Sequence, residues 1–173
     1  AAIDVMLRDF LAHYEGNICR GSVLYPGTEA LLDRFADAGW SFAVCTNKRE
    51  GLSRLLLQVL GLAGRFAAIC GSDTFAAFKP HPAHLLGTID LAGGTPERAV
   101  MVGDSATDRD TARNAGVPFV GVSFGYTPVP MADLGADLLI DHFDALSPEG
   151  ASDLFGRGSE APAGRRAVEA AAS

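Results

Sequence analysis

The chain has 173 residues, 48% of them hydrophobic, with a net charge of -7 and three cysteines. That describes one domain of ordinary size with enough apolar material for a two- or three-layer core. Scattered arginines without a basic run exclude a nucleic-acid surface, and Cys19, Cys45 and Cys70, which form no Cys-x-x-Cys pair, read as reduced, mostly buried thiols.

Ile3, Met6, Leu7, Phe10, Leu11 and Tyr14 recur at helical spacing, and Gly16-Asn17 stops the pattern, so the chain opens in a predicted amphipathic helix. Asp4, Arg8 and Asp9 fall within the first ten residues and rule out a secretory apolar segment. No apolar stretch approaches the length of a membrane span, and the expected location is the cytoplasm. A domain junction is placed near Gly21 to Pro26, at the Tyr25-Pro26-Gly27 turn.

From Thr28, read as an N-cap, a helix runs to about Ala38 and stops at Gly39. Trp40 to Cys45 reads as a buried strand, and Leu52, Leu55, Leu56, Val59 and Leu60 mark a helix ending at Gly61. Ala67 to Cys70 is a short strand, and Pro82 begins a helix to about Leu91. Ala99 to Val102 is a strand, Thr107 to Asn114 a helix closed by Gly116, and Val117 to Val122 and Asp137 to Ile140 are two further strands. Beyond Leu146 the composition turns to Ala, Gly, Ser and Pro, which predicts a disordered tail over 147–173.

Strands alternating with helical stretches of about ten residues predict an α/β fold, a Rossmann-like parallel sheet with helices on both faces. Ligands of such sheets bind at the carboxyl ends of the strands, and three predicted strand ends gather polar residues there. Thr46-Asn47-Lys48 follows the first, Lys79-Pro80 lies in the loop beyond the second, and Asp104 and Asp108 follow the third. A phosphate needs hydroxyl and N–H donors and a cation, which Thr46, Asn47 and Lys79 supply; magnesium needs hard oxygen ligands, which Asp104 supplies.

Taken singly, each of these has a plainer reading. Thr46-Asn47 is a common turn and cap, Lys79 a solvated loop lysine, and Asp104-Ser105 a helix cap with Asp108 in the first turn. His81 and His84 lack a third ligand nearby and read as a helix start beside a proline. Phe10, Phe35, Phe42 and Phe66 are core candidates, and Phe124 and Tyr126 sit in a glycine-bearing loop where packing is the plain reading and ligand contact the other.

In order and spacing, Val44-Cys45-Thr46-Asn47-Lys48, Phe78-Lys79-Pro80 and Val102-Gly103-Asp104-Ser105-Ala106-Thr107-Asp108 resemble the haloacid dehalogenase superfamily, over about Tyr25 to Leu146. Within it, Phe124-Gly125-Tyr126-Thr127, Leu134-Gly135-Ala136-Asp137 and Asp141-His142-Phe143 resemble the bacterial phosphoglycolate phosphatase family. The resemblance implies a magnesium-dependent hydrolase of small phosphorylated metabolites, with 2-phosphoglycolate as substrate. Thr46 and Asn47 would hold the phosphoryl oxygens, Lys79 would steady the charge, Asp104 would bind the metal, and Asp108 would orient the metal shell or Lys79.

One part of the family pattern is absent. No Asp-x-Asp-Gly-Thr occurs, and the only Asp-x-Asp, Asp108-Arg109-Asp110, falls inside a helical pattern. The family places that motif on a central strand, its first aspartate attacking phosphorus and its second serving as acid and base, with a helical cap between it and the Thr-bearing strand. The expected organisation is therefore the cap's last helix over 1–20 and the phosphatase core over 21–146, with the central first strand missing and the nucleophile upstream. With one carboxylate the site is expected to bind magnesium weakly. Three or four large aliphatic side chains of a buried strand amount to roughly 5 to 10 kcal/mol, against domain stabilities of about 5 to 15 kcal/mol, so the chain alone is expected to be marginal and inactive. The other readings are a non-catalytic phosphate- or partner-binding module of the same fold, another phosphatase of the superfamily, and a dehalogenase that needs no magnesium.

Overall fold

The structure, a computed structural model, describes residues 23–125 and 128–156. The predicted helix over Ile3 to Tyr14, with Phe10, Cys19 and Tyr126, lies outside the described residues.

Among the described residues, five parallel strands and five α-helices follow one another, alternating except between β4 and β5: α1 (Thr28–Asp37), β1 (Ala43–Cys45), α2 (Glu50–Val59), β2 (Ala68–Cys70), α3 (Pro82–Leu91), β3 (Met101–Gly103), α4 (Ala106–Ala115), β4 (Phe119–Val122), β5 (Leu138–Ile140) and α5 (Pro148–Ser152). The helix limits follow from local chemistry. Gly27, at φ 81°, is the N-cap of α1, so Thr28 is its first helical residue and not its cap; the Thr28 hydroxyl instead donates to the Tyr25 carbonyl at 2.7 Å. Pro82 begins α3 where an N–H would have no helical partner, and His81 Nδ1 accepts from the Ala83 N–H at 3.2 Å. Gly116, at φ 68°, closes α4.

The sheet is in two pieces. β1 pairs with β2, placing Cys45 opposite Cys70, and β3, β4 and β5 form a second ladder with Val102 opposite Val120 and Val120 opposite Leu138. Among the described residues no ladder joins β1 to β3, which leaves a break in the sheet where the central strand was expected to be missing. β2 and β4 are buried throughout, whereas Ala43 is exposed and Val102 is 40% exposed on the two strands that flank the break. The strand predicted as buried over Trp40 to Cys45 is thus shorter, Ala43–Cys45, and only partly buried.

The core occupies both faces. Leu85 and Ile89 of α3 pack with Ala112 of α4, Met101, Phe119 and Met131 on one side; Phe35 of α1, Val120, Val122, Ile140, Leu146 and Leu154 pack on the other. Alternation along β4 sends Phe119 to the first cluster and Val120 and Val122 to the second, each burial contributing about 1.5 to 3 kcal/mol. The order continues past Leu146, where the tail was expected to begin. Ala151 is 0% and Leu154 4% exposed, so α5 belongs to the core, its inward residues having been hidden in an Ala/Gly/Ser-rich stretch.

Candidate active site

Gly103 ends β3 and Ser105 caps α4, so the Asp104 to Asp108 segment turns back on itself at the carboxyl edge of the sheet. The Asp108 N–H donates to Ser105 Oγ at 3.2 Å, and the hydroxyl donates to Asp108 Oδ2 at 2.7 Å. Asp108 Oδ2 also accepts from the Ser105 N–H at 3.2 Å and the Asp104 N–H at 3.3 Å, a capping box that fixes the carboxylate. A Cβ on Gly103 would lie 2.5 Å from Asp108 Cβ and 2.7 Å from its Oδ2, so only glycine admits this approach.

The other Asp108 oxygen holds Lys79. Nζ to Oδ1 is 2.6 Å, with the two side chains only 10% and 9% exposed. A buried pair persists when its remaining hydrogen-bonding capacity is satisfied, and Asp108 meets that condition with three donors on its second oxygen. Lys79 is therefore a placed cation and not the solvated loop lysine of the plain reading.

Its backbone is placed as firmly. Asn47 Nδ2 donates to the Lys79 carbonyl at 2.9 Å and its Oδ1 accepts from the Lys79 N–H at 3.0 Å, while Asn114 Nδ2 reaches the Pro80 carbonyl at 3.1 Å. The Lys79-Pro80 peptide bond is cis. The Asn47 side chain, expected on a phosphoryl oxygen, is engaged instead as a clasp on the lysine segment. Thr46 extends the β1–β2 ladder, its N–H donating to the Cys70 carbonyl at 3.0 Å. Its Oγ1 accepts from the Lys48 N–H at 3.1 Å, which keeps the hydroxyl proton for a ligand.

Asp104 is walled by the glycine-bearing loop after β4, whose approach to this carboxylate the local sequence does not show. A Cβ on Gly125 would fall on Asp104 Cβ, so the backbone after β4 lies directly against this carboxylate side chain. Phe124 anchors that loop through edge contacts with Tyr25 (5.3 Å, 66°) and Phe143 (4.9 Å, 80°). The lone glycine after Phe124 was the available signal. Phe124 takes the packing role of its two readings.

A second unread network holds residues 71 to 74 to the start of α2. Asp73 Oδ1 accepts from the Glu50 N–H at 2.8 Å, and the Thr74 hydroxyl donates to Glu50 Oε2 at 2.6 Å. The hydrogen bond from Thr74, helped by Arg54, holds the Glu50 carboxyl below its ordinary range. A Cβ on Gly71 would strike the Glu50 nitrogen, which is why the loop can approach the helix there. Beneath the site, burial pushes the Cys45 thiol up more than the nearby Lys79 charge pulls it down. Cys45 and Cys70 are free thiols.

Asp104 places one carboxylate at this edge. Among the described residues no cluster of three or more His, Cys, Asp or Glu side chains could hold a metal ion, so these residues do not by themselves build a magnesium site. None of the described helices is long and apolar enough to cross a membrane.

The profile of the haloacid dehalogenase-like hydrolase family matches residues 2–122. The chain is 51% identical over 152 residues to a phosphoglycolate phosphatase of Mesorhizobium japonicum, covering 88% of this chain and 67% of the relative. It is 48% identical over 161 residues to a phosphoglycolate phosphatase of Agrobacterium fabrum, covering 93% of this chain and 69% of the relative. Against a third such relative, from Rhodospirillum rubrum, the chain spans 60% of the length. Among solved structures, a predicted phosphoglycolate phosphatase from Haemophilus somnus superposes with a TM-score of 0.74 at 32% identity, over 79% of this chain and 61% of that one. CbbY from Rhodobacter sphaeroides, solved in complex with phosphate, gives 0.76 at 28% identity, over 89% and 70%.

Proposed function

The chain belongs to the haloacid dehalogenase-like hydrolase family, and on that premise we propose that it serves a magnesium-dependent phosphatase acting on a small phosphate monoester, 2-phosphoglycolate. The observation that carries this reading is the convergence of Thr46, Lys79 and Asp104–Asp108 on one edge, with the lysine held by a buried carboxylate and a backbone clasp. Phosphoryl transfer is catalysed mainly by positioning and charge stabilisation, which is what a fixed ammonium and a free hydroxyl proton provide. Thr46 donates to a phosphoryl oxygen, Lys79 neutralises the charge there, and Asp108 and Asn47 position Lys79. Asp104 offers a carboxylate to magnesium, whose chemistry is to draw charge from the phosphoryl oxygens; further ligands would come from outside the described residues.

The nucleophile is proposed to be an aspartate on a strand that fills the break between β1 and β3, forming an aspartyl phosphate that water then hydrolyses. The break itself and the greater length of the phosphoglycolate phosphatase relatives support this. The sequence contains no Asp-x-Asp-Gly-Thr, and that favours one second reading, a module of the same fold that binds phosphate without turnover.

Phosphate release from 2-phosphoglycolate, with magnesium and with EDTA, by the product of the whole reading frame and by its Lys79→Ala variant tests the proposal. Magnesium-dependent release that falls by about 10²-fold or more in the variant is expected. Equal activity in the variant removes Lys79 from its role, activity that survives EDTA points to a dehalogenase-type relative, and phosphate binding without release establishes the module.

A further inference from the structure

β1 and β2 each end on a cysteine, and their parallel register sets the two directly opposite one another, Cys45 beside Cys70. The Thr46 N–H carries the ladder one step further, to the Cys70 carbonyl at 3.0 Å, so the strand ends stay side by side past the thiols. Residues paired in a parallel ladder send their side chains to the same face, and on that face Cys45 packs against the cluster to which α3 contributes. Both thiols are free.

Neighbouring strands run about 4.7 to 4.9 Å apart, inside the window of about 4.4 to 6.8 Å that a disulfide requires between its Cα atoms. A disulfide also brings its Cβ atoms to about 3.5 to 4.5 Å, whereas side by side on parallel strands they stay near the strand spacing. The bond can therefore form without unpairing β1 from β2, but it draws the strand ends together by roughly 0.3 to 1 Å.

Both ends of such a bridge adjoin placed backbone. Thr46 follows Cys45 directly, with its Oγ1 fixed by the Lys48 N–H at 3.1 Å. Gly71 follows Cys70 and is already pressed against the Glu50 nitrogen at the start of α2, while the Ser72 N–H donates to the Lys48 carbonyl at 3.0 Å. The β2 side has no room to yield, so the movement falls on Thr46.

The two sulfurs are unequally reachable: Cys45 is partly covered, whereas Cys70 is only 1% exposed. An accessible thiol next to a buried one is the arrangement of an attacking and a resolving cysteine. We propose that Cys45 and Cys70 form a reversible exchange site for small-molecule disulfides, and that the bridge between them displaces Thr46 from a bound phosphate. Cys45 gives up its proton and attacks one sulfur of the small disulfide, releasing a first small thiol. Cys70 then gives up its proton and attacks the Cys45 sulfur of the mixed disulfide, expelling the second. One small disulfide is reduced to two thiols, the cysteine pair is oxidised by two electrons, and the two protons pass to the departing sulfurs. Strain in the closed bridge keeps it easy to reduce, so a small dithiol reverses it. The effect on Thr46 rests on the phosphatase reading given above, whereas the bridge does not.

Oxidised glutathione at about pH 8.5, where thiolate is plentiful, is the probe. The 173-residue chain is used with Cys19→Ser, which leaves Cys45 and Cys70 as its only thiols. Mass spectrometry should find the two-hydrogen loss of an internal disulfide and a linked pair of peptides carrying Cys45 and Cys70; Cys70→Ser in the same background should stop at a glutathione adduct on Cys45. A persistent adduct on Cys45 with Cys70 present, or two unreacted thiols, overturns the exchange site.

The product of the whole reading frame supplies the second measurement, with peptide mapping and phosphate release read on the same sample. Release from 2-phosphoglycolate should fall by about tenfold or more as the linked peptides appear, return with dithiothreitol, and hold steady in Cys45→Ala. Bridged protein that keeps its full rate, or Cys45→Ala losing rate to the same extent, overturns the control of Thr46. Linked peptides in a protein that releases no phosphate even when reduced overturn the phosphatase reading and leave the exchange site standing.

Discussion

Asn47 grips Lys79 by the main chain and not by the ammonium: the two ends of its side-chain amide pair with the Lys79 carbonyl and N–H at 2.9 and 3.0 Å. This copies the exchange of hydrogen bonds between neighbouring strands and leaves Nζ free to turn toward Asp108. Asn47→Ala should cost little stability, about 1 kcal/mol, because both bonds are exposed. Misplacing the lysine should cost turnover up to about 10²-fold in the complete protein. Urea unfolding and phosphate release, measured side by side, check the split.

The Lys79–Asp108 pair behaves differently, since each side chain is about nine-tenths buried. Lys79→Met leaves a buried carboxylate without its cation and should destabilise the chain by roughly 3 to 5 kcal/mol. Asp108→Asn in the same background should recover part of that loss. A double-mutant cycle on urea midpoints reads the coupling, and additive single effects would contradict it.

Gly103 and Gly125 are the two glycines that the carboxylates lean on. Gly103→Ala places a methyl group in Asp108, and Gly125→Ala places one in Asp104, each at a cost of about 1 to 3 kcal/mol. The two should separate by function. In the complete protein, Gly125→Ala should weaken manganese binding at the proposed Asp104 site, read by electron paramagnetic resonance, and spare the Lys79–Asp108 contact, whereas Gly103→Ala should disturb that contact first.

His84 gives stability a defined pH dependence. Its folded-state pKa lies below the ordinary 6.5, by burial first and Lys79 second. As the pH falls through about 6.5 the unfolded chain takes up the proton before the folded one does, so the contribution is whole above that value and is lost as the pH drops through the lower folded value. Glu50, depressed from 4.5 by Thr74, acts in the same direction in a more acidic window. Urea midpoints from pH 8 to 4 should show both slopes, with His84→Phe removing the upper and Thr74→Val the lower.

Among the described residues the edges of β1 and β3 that face the break have no ladder partner, and Val102 exposes apolar surface there. The isolated chain should therefore melt broadly and associate with rising concentration. A sharp, concentration-independent melt above about 50 °C by calorimetry would contradict this.

Much of the site was legible because its residues stand at strand ends, where an apolar run stops at Gly103 or gives way to Thr46. The limits of α3 were equally plain, since Pro82 announces a helix start in any context. The missed features are those that depend on which elements become neighbours. Phe75 reaching Gly87, and Gly125 reaching Asp104, join segments whose proximity comes from strand order and not from spacing. His84 was misleading for another reason: beside Pro82 and His81 it looked like part of a polar helix start, and nothing local shows that this turn faces inward. Asn47 was read for its donors to a ligand, and its match to a backbone amide cannot be seen until the loops meet.

Cys45 lies opposite Cys70 on β1, half-covered, against the cluster that α3 packs upon, with its thiol held in the protonated form. A partly covered thiol held in its protonated form alkylates slowly, so iodoacetamide labelling of Cys45 should be slow near pH 7 and quicken as the pH rises.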